Sequence, residues 1–216
     1  MITYFDEFPH DVKSIGLSLS GGTDSALAFY WLLKTLSERG QQTKVYAMHG
    51  YDTHRKVARS YEAADRVYDW ITSQFNIDVP PLFTFAYNKN KPVGKYEYHY
   101  PNVLYLQRKY NIVDNIMGDT LDMPDDDRPT FDTHPDDPYK QQNKQELIDM
   151  AKKHPLRAPF ATVNKKFIAA QYKKFNLNYL STLTVSCTGD DIKPCKQCWW
   201  CRERKWAFGT YDGGVD

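Results

Sequence analysis

No cysteine occurs before Cys187, so this chain of 216 residues has no reactive thiol outside its C-terminal part. No apolar run approaches the ~20 residues that a helix needs to cross a bilayer. The stretch Met1 to Lys13 is acidic and aromatic and lacks the apolar centre of a secretion signal, so the chain is read as cytoplasmic. Charge of neither sign is in excess: 28 Lys and Arg stand against 27 Asp and Glu. That balance argues against a general nucleic-acid binder, which shows a basic surplus. Internal repeats and low-complexity tails are absent. Two common nucleotide loops are missing as well. There is no Gly-Lys-Ser/Thr triplet, and no set of three spaced glycines with a following acidic residue.

What is present instead is Ser20-Gly21-Gly22-Thr23-Asp24-Ser25. It follows an apolar run, Ile15 to Leu19, and opens a helix-like run from Ala26 to Leu36. Paired glycines let backbone N–H groups approach an anion closely, and the helix behind them points its positive end at the same place. The segment therefore reads as a phosphate cradle. The plainer alternative is a strand–turn–helix corner capped by Asp24 or Ser25.

Around this loop the pattern alternates strand and helix. Ser14–Leu19 and Lys44–Met48 read as strands, and Asp24–Glu38 reads as a helix stopped by Gly40. Thr53–Phe75 is a long amphipathic helix, with Val57, Tyr61, Ala64, Tyr68, Ile71 and Phe75 at alternating steps of four and three. Residues 76–101, rich in Pro, Tyr and Lys, read as an irregular insertion. Asn102–Lys109 reads as a short helix and Asn111–Met117 as a strand. An acidic, proline-broken loop covers 122–138. Helices are expected over Gln141–Lys153 and Asn164–Phe175, and a β-like run over Thr182–Ser186. The order predicts an α/β fold with a parallel sheet covered by helices on both faces. Gly118 to Asp122 follow a strand end, where such sheets hold ligands.

The cysteines are spaced Cys-x7-Cys-x2-Cys-x2-Cys, as Cys187, Cys195, Cys198 and Cys201. Four thiolates at such spacing satisfy tetrahedral Zn²⁺ and leave no open position, so the expected site is structural. An iron–sulfur cluster is the alternative metal group.

The loop is similar to the pyrophosphate loop of N-type ATP pyrophosphatases, which fold as Rossmann-like, adenine nucleotide α-hydrolase-like domains. Together with the cysteine tail, it resembles 7-cyano-7-deazaguanine synthases of queuosine biosynthesis. Leu183-Thr184-Val185-Ser186-Cys187 resembles that family's entry to its metal site. Pro194 to Cys201 resembles its Cys-Gly-x-Cys-x-x-Cys, with Lys196 in place of the glycine. Pro159 with Lys165 or Lys166 resembles a Pro-x-x-x-x-x-Lys segment, and Arg204 matches a family arginine. Gly118 to Arg128 resembles the substrate loop, with one extra residue and its cysteine lost. The family's Tyr-Gly-Gln is represented only by His49-Gly50-Tyr51, and its Pro-Gly-Arg-Asn by Tyr100-Pro101-Asn102.

The resemblance implies a nucleotide-binding domain over 1–180 and a zinc-binding segment over 181–216. It implies an ATP site at Leu19, Ser20, Gly21, Gly22, Thr23, Asp24, Ser25, Met48 and His49, with Mg²⁺ near Asp24. Asp24, Ser25 and Lys165 are the implied catalytic residues. Gly118, Asp119, Asp122, Arg128 and Arg204 are the implied substrate contacts, and the four cysteines hold structural zinc. The partners are a free deazapurine, ATP and ammonia, with nucleic acid not a direct substrate and a homodimer left open. The reaction implied is AMP-forming ligation: a carboxylate is adenylated, then attacked by ammonia. The missing spare thiols move the reading away from sulfur transfer. Two alternatives stand beside it, another AMP-forming enzyme of the superfamily and a zinc-stabilised nucleic-acid-binding module. The Lys152-Lys153-His154…Arg157 and Lys165-Lys166…Lys173-Lys174 groups support the second alternative.

Overall fold

The computed structural model describes residues 5, 8–52, 58–87, 95–121, 123, 144–153, 157–188 and 193–215. In chain order it has β1 (Ser14–Ser18), α1 (Thr23–Arg39), β2 (Lys44–Asp52), α2 (Ala58–Ser73), β3 (Phe83–Tyr87), α3 (Lys95–Tyr110) and β4 (Asn115–Ile116). Then follow α4 (Lys144–Lys153), α5 (Lys165–Lys174), α6 (Asn178–Leu183), α7 (Trp199–Phe208) and a 3-10 turn at Asp212–Gly214. The described strands form one sheet in the order β3-β2-β1-β4, with every pairing parallel.

Alternation along β2 divides the core between the two faces of the sheet. Val45 and Ala47 join Ile15 and Leu17 in a large cluster with Leu27, Phe29, Leu32 and Leu36 of α1, Val67 and Ile71 of α2, and Ile168 and Tyr172 of α5. Tyr46 and Met48 face the other way, onto Val103 and Leu106 of α3 and onto Ile112. The expected α/β architecture, with helices on both faces, is thus observed. Gly16 makes the second face possible. A Cβ there would come within 2.5 Å of the Met48 methyl and 2.8 Å of Asn115 Oδ1. At the far end of α1, Gly40 takes a left-handed conformation (φ 60°), and its N–H closes on the carbonyls of Leu36 and Ser37.

Three segments differ from their sequence reading. Residues 76–101 contain β3 and the start of α3 instead of being wholly irregular. Phe83 and Phe85 alternate with exposed Thr84 and Ala86, the signature of an edge strand covered on one face. Its short length and the neighbouring Pro80-Pro81 obscure it in the sequence. Thr182–Ser186 is no strand: α6 runs to Leu183, and the chain beyond is extended without a ladder. Helix α7, starting within the cysteine cluster, had no counterpart in the sequence reading. Most of the acidic loop 122–138 lies outside the described residues.

Candidate functional site

The chain leaves β1 for β2 and β3 on one side and returns to β4 on the other. The gap between β1 and β4 is therefore the point where strand order reverses, and ligands of open α/β sheets bind beyond the carboxyl ends there. Ser20–Ser25 and Gly118 are the residues at that point. Gly21 has φ 80°, a left-handed conformation that glycine adopts without strain, and Gly22 is the N-cap of α1 with no side chain capping the helix. Neither Asp24 nor Ser25 caps the helix, so the capping part of the plainer strand–turn–helix reading is not observed. The first-turn N–H groups of α1, which have no intrahelical partner, surround this loop.

Hydroxyls hold the loop in shape. Ser25 Oγ lies 2.9 Å from Ser20 Oγ, accepts from the Ser20 N–H at 3.1 Å and donates to the Gly22 carbonyl at 3.2 Å. The Gly22 N–H donates to Ser20 Oγ at 3.3 Å. Ser25 is buried and Ser20 exposed, so Ser25 is the pivot and Ser20 faces outward. Gly118 touches the same turn. A Cβ at this position would sit 2.6 Å from the Ser25 nitrogen and 2.8 Å from the Asp24 carbonyl carbon. Only glycine lets the chain after β4 come so close to the start of α1.

Between these lies a buried charge cluster. Lys165, first residue of α5, is delivered by Leu121, whose N–H donates to the Val163 carbonyl at 2.8 Å and which bridges to Asn164. Asn164 caps the helix by accepting from the Lys166 N–H. The Lys165 ammonium stands 2.5 Å from Asp24 Oδ2, 3.4 Å from Thr23 Oγ1 and 3.7 Å from Glu203 Oε2 of α7. Burial alone would lower its pKa, but the charges of Asp24 and then Glu203 outweigh burial and raise it, so the amine stays charged. Lys166 is exposed, with its ammonium 4.4 Å from the centre of the Trp206 ring. Of the two lysines raised by the sequence, Lys165 is the one at the loop. Tyr172 adds a hydrogen bond to the Thr23 carbonyl at 2.9 Å.

The neighbouring strand contributes backbone and one histidine. The Leu19 N–H donates to the Met48 carbonyl at 2.7 Å, and both side chains are core. The buried His49 places Nδ1 2.8 Å from the Leu19 carbonyl. A carbonyl only accepts, so Nδ1 carries the proton. Burial lowers the His49 pKa and keeps the ring neutral. Its Nε2 is then a buried acceptor, and it has no hydrogen-bond partner among the described residues. The rings of Tyr51 and Tyr61 lie 6.4 and 6.3 Å away.

The four cysteine sulfurs lie within 4.8 Å of one another, and those of Cys195 and Cys201 are 3.9 Å apart. A Zn–S bond of about 2.3 Å places tetrahedral sulfurs about 3.8 Å apart, so the donor set fits one zinc-sized ion. A cluster with several irons would spread its cysteine sulfurs more widely. N–H groups of Cys195 and Cys198 point at the sulfurs of Cys187 and Cys195, each at 3.3 Å. Hydrogen bonds from Cys187 and then Cys201 push the Cys198 pKa down, while contacts with Cys187 and then Cys198 push that of Cys201 up. Lys196, in the position of the resembled family's glycine, has φ 60°.

This tail is bolted to the loop. The Val185 N–H donates to the Gly21 carbonyl at 2.9 Å. Arg204 is completely buried and bonds Ser181 O at 2.6 Å, Thr184 Oγ1 at 2.8 Å and Asp212 Oδ1 at 3.1 Å. Asp212 in turn accepts the N–H groups of Ser186 and Cys187, each at 2.8 Å. Arg204 thus has its bonds inside the protein, one step behind the loop. Asp119, two residues past Met117, is exposed, while Asp122 and Arg128 lie outside the described residues. Sequence reasoning missed Glu203, Asp212 and Tyr172. Lone polar residues in apolar or basic stretches carry no local signal, although Glu203 within Cys201-Arg202-Glu203-Arg204 is conspicuous for its charge.

With this geometry in place, a comparison with protein families decides the resemblance. Residues 128–212 match the family described as queuosine biosynthesis protein QueC. This is the 7-cyano-7-deazaguanine synthase family, and the resemblance read from the motifs holds over that stretch. The matched stretch contains Lys165, all four cysteines, Glu203 and Arg204, and the QueC-like tail is the part bonded to the glycine loop. No curated protein matches the chain. Among the described residues, no helix is long and apolar enough to cross a membrane.

Proposed function

We propose that the protein is an ATP-dependent, AMP-forming ligase that converts 7-carboxy-7-deazaguanine and ammonia to the nitrile, or to the amide. The observation that carries the reading is a phosphate-type loop at the sheet's switch point, closed from behind by the four-cysteine tail of a QueC-like segment. A carboxylate loses oxide or hydroxide poorly; adenylation lets that oxygen leave as AMP. Ammonia then gives the amide, and a second adenylation at the amide oxygen permits the nitrile.

Each described residue has a task in this chemistry. Gly21 and Gly22 let the phosphates come close to the backbone donors at the start of α1, with Ser20 at the loop's outer edge and Thr23 and Ser25 holding its shape. Lys165 places a fixed positive charge where pyrophosphate charge accumulates. Asp24 offers hard oxygens at the same point and would hold Mg²⁺, which neutralises phosphate charge when bound. His49 Nε2, beside Leu19 and Met48, presents an acceptor to the amino group of the adenine. Gly118 keeps the start of the substrate-side loop, with Asp119, close to the phosphates. Arg204 acts from behind by fixing Thr184 and the path into the tail. Cys187, Cys195, Cys198 and Cys201 would hold one zinc ion, which supplies folding energy to the tail and takes no part in the reaction.

Carboxylate-dependent exchange of labelled pyrophosphate into ATP tests the adenylation step. The expected result is exchange only when 7-carboxy-7-deazaguanine is present. Exchange with no dependence on any carboxylate, or none at all, overturns the reading.

A further inference from the structure

Glu203 is an acid that no motif predicts, on a helix capped by Cys198 and carrying Cys201 in its first turn. It is buried, and its Oε2 lies 3.7 Å from the Lys165 ammonium, on which Asp24 closes at 2.5 Å. One buried cation therefore has two carboxylates: one on the nucleotide loop, one on the metal-anchored helix. Asp24 by itself would suffice to neutralise the lysine. The second acid becomes necessary when Asp24 is engaged elsewhere.

We propose that Glu203 is a positioning residue: it is the standing counter-ion of Lys165, which frees Asp24 to bind Mg²⁺ when the nucleotide arrives. This rests on the ATP reading given above. A buried ammonium stripped of its only anion is strongly destabilised. Without Glu203, Lys165 would hold Asp24 against the metal. With it, Asp24 can turn to Mg²⁺ while Lys165 stays at the loop, its place set by α7 and, through Cys198 and Cys201, by the metal site. The neighbouring Arg204 lowers the Lys165 pKa by its like charge, which adds to the need for a nearby anion.

The test is a double-mutant cycle read by binding instead of turnover. Affinity for the Mg²⁺ complex of α,β-methylene ATP is measured by calorimetry, with zinc content checked in every variant. Glu203→Gln keeps shape and removes charge; it is expected to weaken binding about tenfold, the size of a direct coupling, with the loss appearing as a higher Mg²⁺ requirement. In a Lys165→Met background the same change should cost less than about twofold, because the coupled charge is gone. Equal losses in both backgrounds would make Glu203 a mere packing residue and overturn the proposal. No loss in the wild-type background would overturn it too. A wild-type chain that binds no nucleotide would sink the ATP reading, and the proposal with it, whereas normal wild-type binding with an unaffected Glu203→Gln variant sinks the proposal alone.

Discussion

The backbone N–H of Val185 donates to the carbonyl of Gly21 at 2.9 Å, joining the entry to the four-cysteine site directly to the glycine loop. The two motifs, 164 residues apart at these positions (185 − 21), meet in one hydrogen bond. The four-cysteine cluster and the glycine loop are therefore joined through the backbone, and consequences follow for each.

Removing the metal should loosen the loop as well as the tail. Stripping the purified protein with a thiol-competitive chelator is expected to release about one zinc per chain, as a closed four-thiolate site requires. The melting temperature and the affinity for nucleotide should fall together. Nucleotide affinity unchanged in fully stripped, folded protein would contradict the coupling.

Gly118 is constrained by backbone, which cannot step aside as a flexible side chain can. Gly118→Ala would put its Cβ 2.6 Å from the Ser25 nitrogen. The expected cost is about 1–3 kcal/mol of stability, as for overpacking. Pyrophosphate binding should weaken at the same time, measured by calorimetry. A neutral result would show that the loop after β4 moves freely.

The Arg204–Asp212 pair is buried at both ends and carries the Ser186 and Cys187 N–H groups with it. Breaking it by Asp212→Asn leaves a buried guanidinium uncompensated, at a cost of about 3–5 kcal/mol. Denaturant titration of the zinc-loaded protein gives the value. A loss under about 1 kcal/mol would mark the pair as solvent-relaxed.

Lys196 works in the opposite direction. It holds φ 60°, where a side chain is strained, and its ring contact with Tyr211 (5.2 Å) offsets only part of that. Lys196→Gly should stabilise the folded chain by about 1 kcal/mol, or roughly 2–4 °C in Tm for a chain of this size. A lower Tm would mean that the lysine contacts outweigh the strain.

His49 predicts an acid-side effect. Burial lowers its folded pKa below the unfolded value of about 6.5, so folding favours the neutral ring. Its contribution is complete above about pH 6.5 and is lost as pH falls through the folded pKa. Thermal melts from pH 8 down to pH 5 should show the wild type losing more stability than His49→Gln. Parallel pH profiles would contradict this.

Much of this was legible in the sequence because it is local. The loop announces itself by Gly21, Gly22 and Asp24 in a strand-to-helix setting, and the metal site by cysteine spacing. The parallel sheet followed from alternation of elements. What could not be read is what depends on the third dimension. Phe83–Tyr87 is too short and too half-exposed for its pattern to outweigh the neighbouring prolines. Thr182–Ser186 is β-rich in composition but pairs with no strand among the described residues, and Val185 finds Gly21 instead. Glu203 and Asp212 gain their meaning only from Lys165 and Arg204, 38 and 8 positions away (203 − 165; 212 − 204). The choice between Lys165 and Lys166 was a matter of helical phase, settled by the cap at Asn164.

The most direct measurement of the whole account is product identity. Zinc-loaded protein is incubated with ATP, Mg²⁺, ammonium and 7-carboxy-7-deazaguanine, and the products are separated and weighed by mass spectrometry. The account predicts AMP together with the deazaguanine amide or nitrile, abolished in Asp24→Asn and Lys165→Met. ATP left intact, or AMP formed with the carboxylate unchanged, would contradict it.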